Sequence, residues 1–334
     1  MTEAYRIFGS ELSPYSIKVR SYFRYKGIPH EWLIRDPSNI AEYQKHARLP
    51  LVPLVITPDD QGIQDSTPIL EKLEAAFPEP SIHPDDPAAA FLSALLEEFG
   101  DEWGNKWMFH YRWWREADQI SASERLASDM AGPDAGSEQL TQVAAMIRER
   151  MIPRIGFVGS SEKTQQQIEG SFSGGIALLE AHLQRRAFLF GGRPAFADFG
   201  LWGQLYNAHT DPTAGGILDE RAPKLVAWLQ RMLDPKAEGE WEPLEALLPT
   251  LKPLLKTQVA DLFLPWSAAN ARAIASGDAE FSVELAGRTW EQAPQKYHAR
   301  SLKALRDRYA GVSNSAALDP ILEETGCLVW LRDS

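Results

Sequence analysis

Ser13-Pro14-Tyr15-Ser16 decides how this chain is read. Upstream, Ala4-Tyr5-Arg6-Ile7-Phe8 is a brief β-prone run that stops at Gly9. Downstream, Tyr15, Val19, Tyr22 and Phe23 fall at i, i+4, i+7 and i+8, one face of a helix ending near Gly27. Ser13 then serves as N-cap, with Pro14 at the first helical position, where its missing N–H costs nothing. A capped helix accounts for these four residues without any further role. The following sixty residues add one.

His30 to Ile34 reads as a second strand, Ile40 to Ala47 as a short helix, and Leu54 to Thr57 as a third strand entered through Val52-Pro53. A turn at Asp59-Asp60-Gln61-Gly62 leads to a brief strand ending at Gln64. Asp65-Ser66 then opens a helix with Ile69, Leu70, Leu73 and Phe77 on its inner face. This β-α-β-α-β-β-α order resembles the thioredoxin-like domain of soluble glutathione S-transferases. The resemblance rests on Ser13-Pro14-Tyr15-Ser16, Leu51-Val52-Pro53-Leu54 and Asp65-Ser66 in that order. It places a hydroxyl, Ser13, where redox relatives carry a cysteine, and so implies a serine-type enzyme.

The second half supports the same family. Phe188 to Phe199, with Gly191-Gly192-Arg193-Pro194-Ala195-Phe196-Ala197-Asp198 at its centre, resembles the entry to the buried helix of the all-helical transferase domain. Asp198 falls at N3, able to reach back to an orphan backbone N–H. Ala195 stands where the family has a Ser or Thr cap, a loss of about 0.5–2 kcal/mol. Leu225, Trp228, Leu229, Met232 and Leu233 form a later helical stripe. The expected fold class is an α/β thioredoxin-like domain with a four-stranded mixed sheet, then an all-α domain and a small α+β extension. The expected domains are residues 1–78, a linker at 79–87, a helical domain at 88–248, and 249–334 docking on the body.

Composition narrows the function. A length of 334 residues suits two domains with sizeable cores, and a net charge of −12 disfavours nucleic-acid backbones and anionic membranes. Cys327 is the single cysteine, so an internal disulfide is excluded. The start Met1-Thr2-Glu3-Ala4-Tyr5-Arg6 does not read as a secretory signal, and no apolar run approaches a membrane span of roughly 18 residues. A cytoplasmic protein with no membrane or nucleic-acid partner is expected, and the resemblance implies a homodimer.

A glutathione sulfur at Ser13 would face a helix N-terminus, worth about 0.3–1 kcal/mol to an anion and up to about 2 in partly buried geometry. A hydroxyl donated to the thiolate adds about 1.5–3 kcal/mol. At about 1.36 kcal/mol per pKa unit, the two lower the thiol pKa by about one to three units. Ser13 is therefore the expected catalytic residue. Val52 and Pro53 are expected to offer a backbone edge to the peptide, through a cis bond that the resemblance implies. Ser66 suits the γ-glutamyl carboxylate, and Asp65 the ammonium. Lys45 and His46 are candidates for the glycine carboxylate, with surface roles as the alternative. Ser16 reads as first-turn solvation.

Phe99, Trp103, Trp107, Tyr111 and Trp114 recur at helical spacing, with His110 beside them. Such a stripe is ordinarily core. In the resembled fold this helix faces the glutathione site, so Tyr15, Trp103, Trp107, His110, Tyr111 and Trp114 are candidates for an apolar co-substrate pocket. The acidic run Glu97, Glu98, Asp101, Glu102 reads as a solvated face, and no residue set has metal-ligand spacing. Ser128 to Ser137 reads as a surface loop.

The function expected is transfer of glutathione, as co-substrate and without a metal, to a small apolar or aromatic electrophile. The alternatives are a non-catalytic binding protein of the same fold, or a glutathione-dependent lyase, ether-cleaving enzyme or isomerase. Beyond about residue 250 only pattern remains. Phe281, Val283 and Leu285 alternate with polar residues as a half-buried strand, Leu302, Leu305, Tyr309 and Val312 mark a helix, and Cys327 to Leu331 reads as a strand pairing with the first. This extension is expected either to cover the cleft mouth or to strap the far side.

Overall fold

The computed structural model describes residues 4–36, 38–132, 135–312 and 316–332. The first part runs β1 (Tyr5–Gly9), α1 (Pro14–Lys26), β2 (His30–Ile34), α2 (Ile40–His46), β3 (Leu54–Ile56), β4 (Gly62–Gln64) and α3 (Ser66–Ala76). The sheet order is β2-β1-β3-β4, with β1 parallel to β2 and antiparallel to β3. Strand alternation sends Ile7 and Val55 to the face covered by α1 and α3, and Phe8, Leu54 and Ile56 to the face covered by Tyr43 of α2. Register then positions the site. Phe8 lies opposite Leu54, and Leu54 opposite Gln64, so the end of β1, the start of β3 and the end of β4 meet at one edge of the sheet. Ser13, Val52-Pro53 and Asp65-Ser66 all extend from that edge.

The helical part begins at α4 (Pro87–Phe99), capped by Asp86, which accepts from Ala89 N at 2.8 Å. A π-helical turn at Gly100–Gly104 joins it to α5 (Asn105–Trp114). There follow α6 (Glu116–Ala131), α7 (Ser137–Met151), a 3-10 turn, α8 (Gln165–His182), α9 (Phe196–His209), α10 (Pro212–Arg221) and α11 (Pro223–Arg231). Buried α9 is the axle, packed by α1, α4 and α5. Its crossing with α4 needs glycine, because a Cβ at Gly100 would sit 2.7 Å from Leu201 N. A Cβ at Gly203 would sit 2.5 Å from the Pro14 carbonyl, so the start of α1 rests directly on α9. In the expected surface loop α6 continues to Ala131, and Pro133 and Asp134 lie outside the described residues.

Ser93 Oγ, accepting from Ala197 N at 3.0 Å, replaces the missing cap oxygen at Ala195, and Asp198 supplies the other half of the cap. Its Oδ2 accepts from Ala195 N at 2.8 Å, and its Oδ1 accepts from Leu189 N at 2.9 Å and Trp228 Nε1 at 2.8 Å. Burial nevertheless pushes its carboxyl up to about 7. Asp198→Ala would orphan three buried donors at about 1–3 kcal/mol each, so a loss of at least about 3 kcal/mol in urea denaturation is expected. A loss under about 1 kcal/mol would mean that α9 is fixed by packing alone.

The extension departs most from expectation. Position 248 lies inside α12 (Leu244–Leu254), which passes through a π-helical stretch, Leu255–Phe263, into α13 (Leu264–Ser276). A hairpin of β5 (Phe281–Leu285) and β6 (Arg288–Gln292) follows, then α14 (Ser301–Ala310), α15 (Asp319–Thr325) and α16 (Leu328–Leu331). The half-buried strand pairs with β6, Val283 opposite Trp290, and not with the terminal run, which is a single helical turn. Five apolar residues in a row carry no period, and the run caps the core as a helix instead. The extension carries large apolar groups: Phe263, Trp266 and Trp290 are fully buried. Trp266 and Trp290 meet Trp103 at centroid distances of 6.0 and 5.5 Å, and Lys106 Nζ lies 3.6 Å from the Trp266 ring.

Candidate functional site

Ser13 ends the β1–α1 loop with extended backbone, φ −101° and ψ 110°, and its Oγ accepts from Ser16 N at 3.2 Å. That bond uses a lone pair. Among the described residues no acceptor takes the hydroxyl hydrogen. Ser16 is fully buried with an unpartnered Oγ, so it is not solvated as expected; the first turn of α1 packs its inner side against the sheet.

The Val52–Pro53 bond is cis, in agreement with the resemblance. Asp65 has φ +79°, a conformation that costs a non-glycine residue about 1–3 kcal/mol and gathers at ligand sites. It turns the chain so that α3 starts at Ser66, where the first N–H groups have no intrahelical partner. Burial raises the Asp65 carboxyl above its ordinary range, with Lys18 opposing. Ser66 is 2% exposed, and its Oγ lies 3.4 Å from Lys18 Nζ and 3.5 Å from Asp101 Oδ2.

Lys18 is a residue that sequence reasoning missed. Fully buried, it donates to Glu97 Oε1 at 2.5 Å, Asp101 Oδ2 at 2.6 Å and Thr67 Oγ1 at 3.1 Å. The signal was available: Tyr15, Lys18 and Tyr22 fall at i, i+3 and i+7, which places a charge on the apolar stripe of α1. Burial would lower the ammonium pKa, but Asp101 and Glu97 outweigh it and hold the group charged. Burial pushes the Asp101 carboxyl up to about 7 against the pull of Lys18, and its Oδ1 has no partner. The acidic run is therefore not a solvated face. Glu97 and Asp101, one helical turn apart, point inward to a lysine, and Glu102 reaches His298 Nδ1 at 2.7 Å.

The aromatic candidates divide. Trp103, Trp107, His110 and Tyr111 are buried in the core and wall no open space. Trp103 and Trp107 donate to Ser171 Oγ at 2.8 and 3.0 Å; His110 bonds Ser160 Oγ at 2.8 Å and Glu169 at 3.1 Å. Trp114 is half-buried and stacks on His110. Half-buried Tyr15 donates to the Asp101 carbonyl at 2.9 Å, accepts from Asn105 Nδ2 at 3.1 Å, and has its phenol pKa raised by burial, so it is no ready donor to sulfur. Lys45 and His46 both turn to Asp60, at 2.5 and 3.2 Å, and hold the β3–β4 turn.

The side of the loop away from the sheet is covered by α6 and α7. Leu12 packs with Trp113, Ala122, Leu126 and Val143, while Phe109 joins them half-buried. The extension instead contacts α4, α5, α8 and Glu71 of α3. The element next to Ser13 is thus the α6–α7 hairpin. Among the described residues no group of His, Cys, Asp and Glu could hold a metal ion, and no helix is long and apolar enough to cross a membrane.

Comparison with known proteins matches both halves of the chain to one family. Residues 7–81 match the family model "Glutathione S-transferase, N-terminal domain", and residues 162–231 match "Glutathione S-transferase, C-terminal domain". The chain belongs to the glutathione S-transferase family. A transferase relative, the isoprene-epoxide–glutathione S-transferase of Rhodococcus sp. (strain AD45), is 22% identical over 227 residues, 66% of this chain and 92% of that protein. Among solved structures, the transferase GSTFuA3 of Phanerochaete chrysosporium is 15% identical with a TM-score of 0.47, covering 70% of this chain and 98% of that one. The β-etherase LigF of Sphingobium sp. strain SYK-6 is 20% identical with a TM-score of 0.43, covering 75% and 99%. A Methylobacterium radiotolerans transferase in complex with glutathione sulfonate is 20% identical with a TM-score of 0.40, covering 72% and 98%. The two family models leave residues 82–161, with α6 and α7, between their matched stretches.

Proposed function

We infer that this glutathione transferase activates its co-substrate with Ser13, adding the thiolate to a small apolar or aromatic electrophile. The observation that carries the reading is the Ser13 hydroxyl: one lone pair accepts from Ser16 N, and its hydrogen is uncommitted at the N-terminus of α1. Val52 supplies the peptide edge, Ser66 receives the γ-glutamyl carboxylate, and Asp65 receives the ammonium. Lys18, behind Ser66, is already paired with Glu97 and Asp101 and holds the start of α3 in place. The name of the Rhodococcus relative brings epoxides into the range of electrophiles. Homodimer assembly and a cytoplasmic location belong to the same proposal and rest on the family alone.

The test follows the ultraviolet absorbance of bound thiolate against pH. Ser13→Ala is expected to keep glutathione binding but raise the thiol pKa by about one to three units, because only the anion uses the hydroxyl strongly. Ser66→Ala is expected to do the reverse, weakening calorimetric binding while leaving the bound thiol's pKa near the wild-type value. A wild-type pKa in Ser13→Ala would assign activation to another residue.

A further inference from the structure

The loop that carries Ser13 is closed on itself and then tied to α6. Ser13 N donates to the Ser10 carbonyl at 3.1 Å, and Leu12 N donates to Ser10 Oγ at 3.3 Å. The Ser10 hydroxyl in turn donates to Asp129 Oδ2, on α6, at 3.3 Å. Burial raises the Asp129 carboxyl above its ordinary range, with Glu11 also raising it and Ser10 and Arg125 opposing. A second tie runs through charge. Arg112 Nη1 donates to the Leu12 carbonyl at 2.8 Å, its Nε pairs with Asp211 Oδ2 at 2.8 Å, and Arg125 of α6 pairs with the other Asp211 oxygen. Asn207 Nδ2 adds a bond to the Glu11 carbonyl at 3.2 Å.

We propose that Asp129 is a positioning residue for catalysis, holding the Ser10–Ser13 turn so that the Ser13 hydroxyl meets the glutathione sulfur in line. The inference rests on the Ser13 reading above. Its physical basis is the steepness of hydrogen-bond strength with geometry: such bonds weaken sharply as the donor angle falls toward about 120°. Ser10 Oγ accepts from Leu12 N with a lone pair, and the bond to Asp129 fixes the direction of its hydrogen, so the rotor and the turn are held by one contact to α6. Without it the hydroxyl rotates, the turn loosens, and the cap that fixes Ser13 drifts with it. The clamp lies between the two stretches that the family models match.

The experiment measures the pKa of bound glutathione thiol in the full chain for wild type, Asp129→Ala, Asp129→Asn and Ser13→Ala. Asp129→Ala is expected to raise the thiol pKa by about one unit, tenfold less thiolate at a pH below both values, with glutathione affinity near that of wild type. Asp129→Asn, which keeps an acceptor oxygen, is expected to restore the wild-type pKa. An unchanged pKa in Asp129→Ala alongside a raised one in Ser13→Ala would overturn the clamp and leave the serine reading standing. An unchanged pKa in Ser13→Ala would remove both. Equal falls in Asp129→Ala and Asp129→Asn would overturn the clamp in favour of a direct charge effect, because removing a negative charge favours the thiolate, and equal rises would overturn the acceptor role assigned to Asp129. Should Asp129→Ala fail to fold, Ser10→Ala cuts the same tie from the loop side, and a wild-type thiol pKa there would equally overturn the proposal.

Discussion

A chain stopped after Leu248 is expected to lose cooperative folding altogether, not merely to change its choice of co-substrate. The cut would fall inside α12 and remove the α13 ring that faces Trp103. Phe263 packs on Phe99 at a centroid distance of 6.0 Å, and Gln258 accepts from the Ser171 hydroxyl that also serves Trp103 and Trp107. Baring half of Phe99, Trp103 and Trp107, at about 200 Å² a ring, reopens about 300 Å² of apolar surface. At about 25 cal/mol/Å² that is about 7 kcal/mol, comparable with the whole stability of a typical domain, about 5–15 kcal/mol. Lys106 would also lose the Trp266 ring that covers its ammonium, while Glu102 would lose His298. Urea denaturation followed by tryptophan fluorescence tests this. A soluble truncated protein with a cooperative transition near the wild-type midpoint would show that the extension is a separable strap.

Why the extension misled and the first domain did not is a matter of where the partners lie. In the first eighty residues each signal is local: the β-prone run Ala4 to Phe8, the i, i+4, i+7 stripe from Tyr15, Pro14 at N1, and Asp65-Ser66 before an apolar run. The strand pattern of Phe281 to Leu285 was equally legible, and it formed. Its partner was not read, although Ala286 and Gly287, both at positive φ, make the tight turn that brings β6 back. Glu97 and Asp101 read as solvated because charge near charge on a helix is usually exposed. Their counter-ion lies on α1 and becomes visible only when the charged member of the α1 stripe is asked what it faces. The aromatic run was legible as helix and as core, but no periodicity says which rings meet an open cleft. The hairpin beside Leu12 had no motif at all, and its place at the site is a product of packing.

Lys18→Met is the sharper test of the site's foundation, because its sign depends on pH. In the wild type one buried ammonium faces Glu97 and Asp101, with Ser66 and Thr67 completing its shell. Removing one partner of a buried ion pair typically costs about 3–5 kcal/mol, since the remaining charges keep their desolvation penalty. Here two carboxylates would be stranded. Asp101 already titrates at about 7 when folded, against about 3.9 for an unfolded aspartate, so the folded state holds the proton more tightly. A group of this kind adds stability below its unfolded value and loses it as pH rises from about 4 through its folded value. Without Lys18 that folded value rises further. The mutant's deficit is therefore expected to be largest at pH 7.5, about 3–5 kcal/mol, and to shrink towards pH 5 as the stranded carboxyls take up protons. Adding Asp101→Asn, which removes one stranded charge, should recover part of the loss at pH 7.5 and little at pH 5. Urea midpoints for the three proteins at both pH values decide the matter. A deficit independent of pH would mean that Lys18 acts by filling space, and that the charge behind Ser66 has no part in holding the glutathione site together.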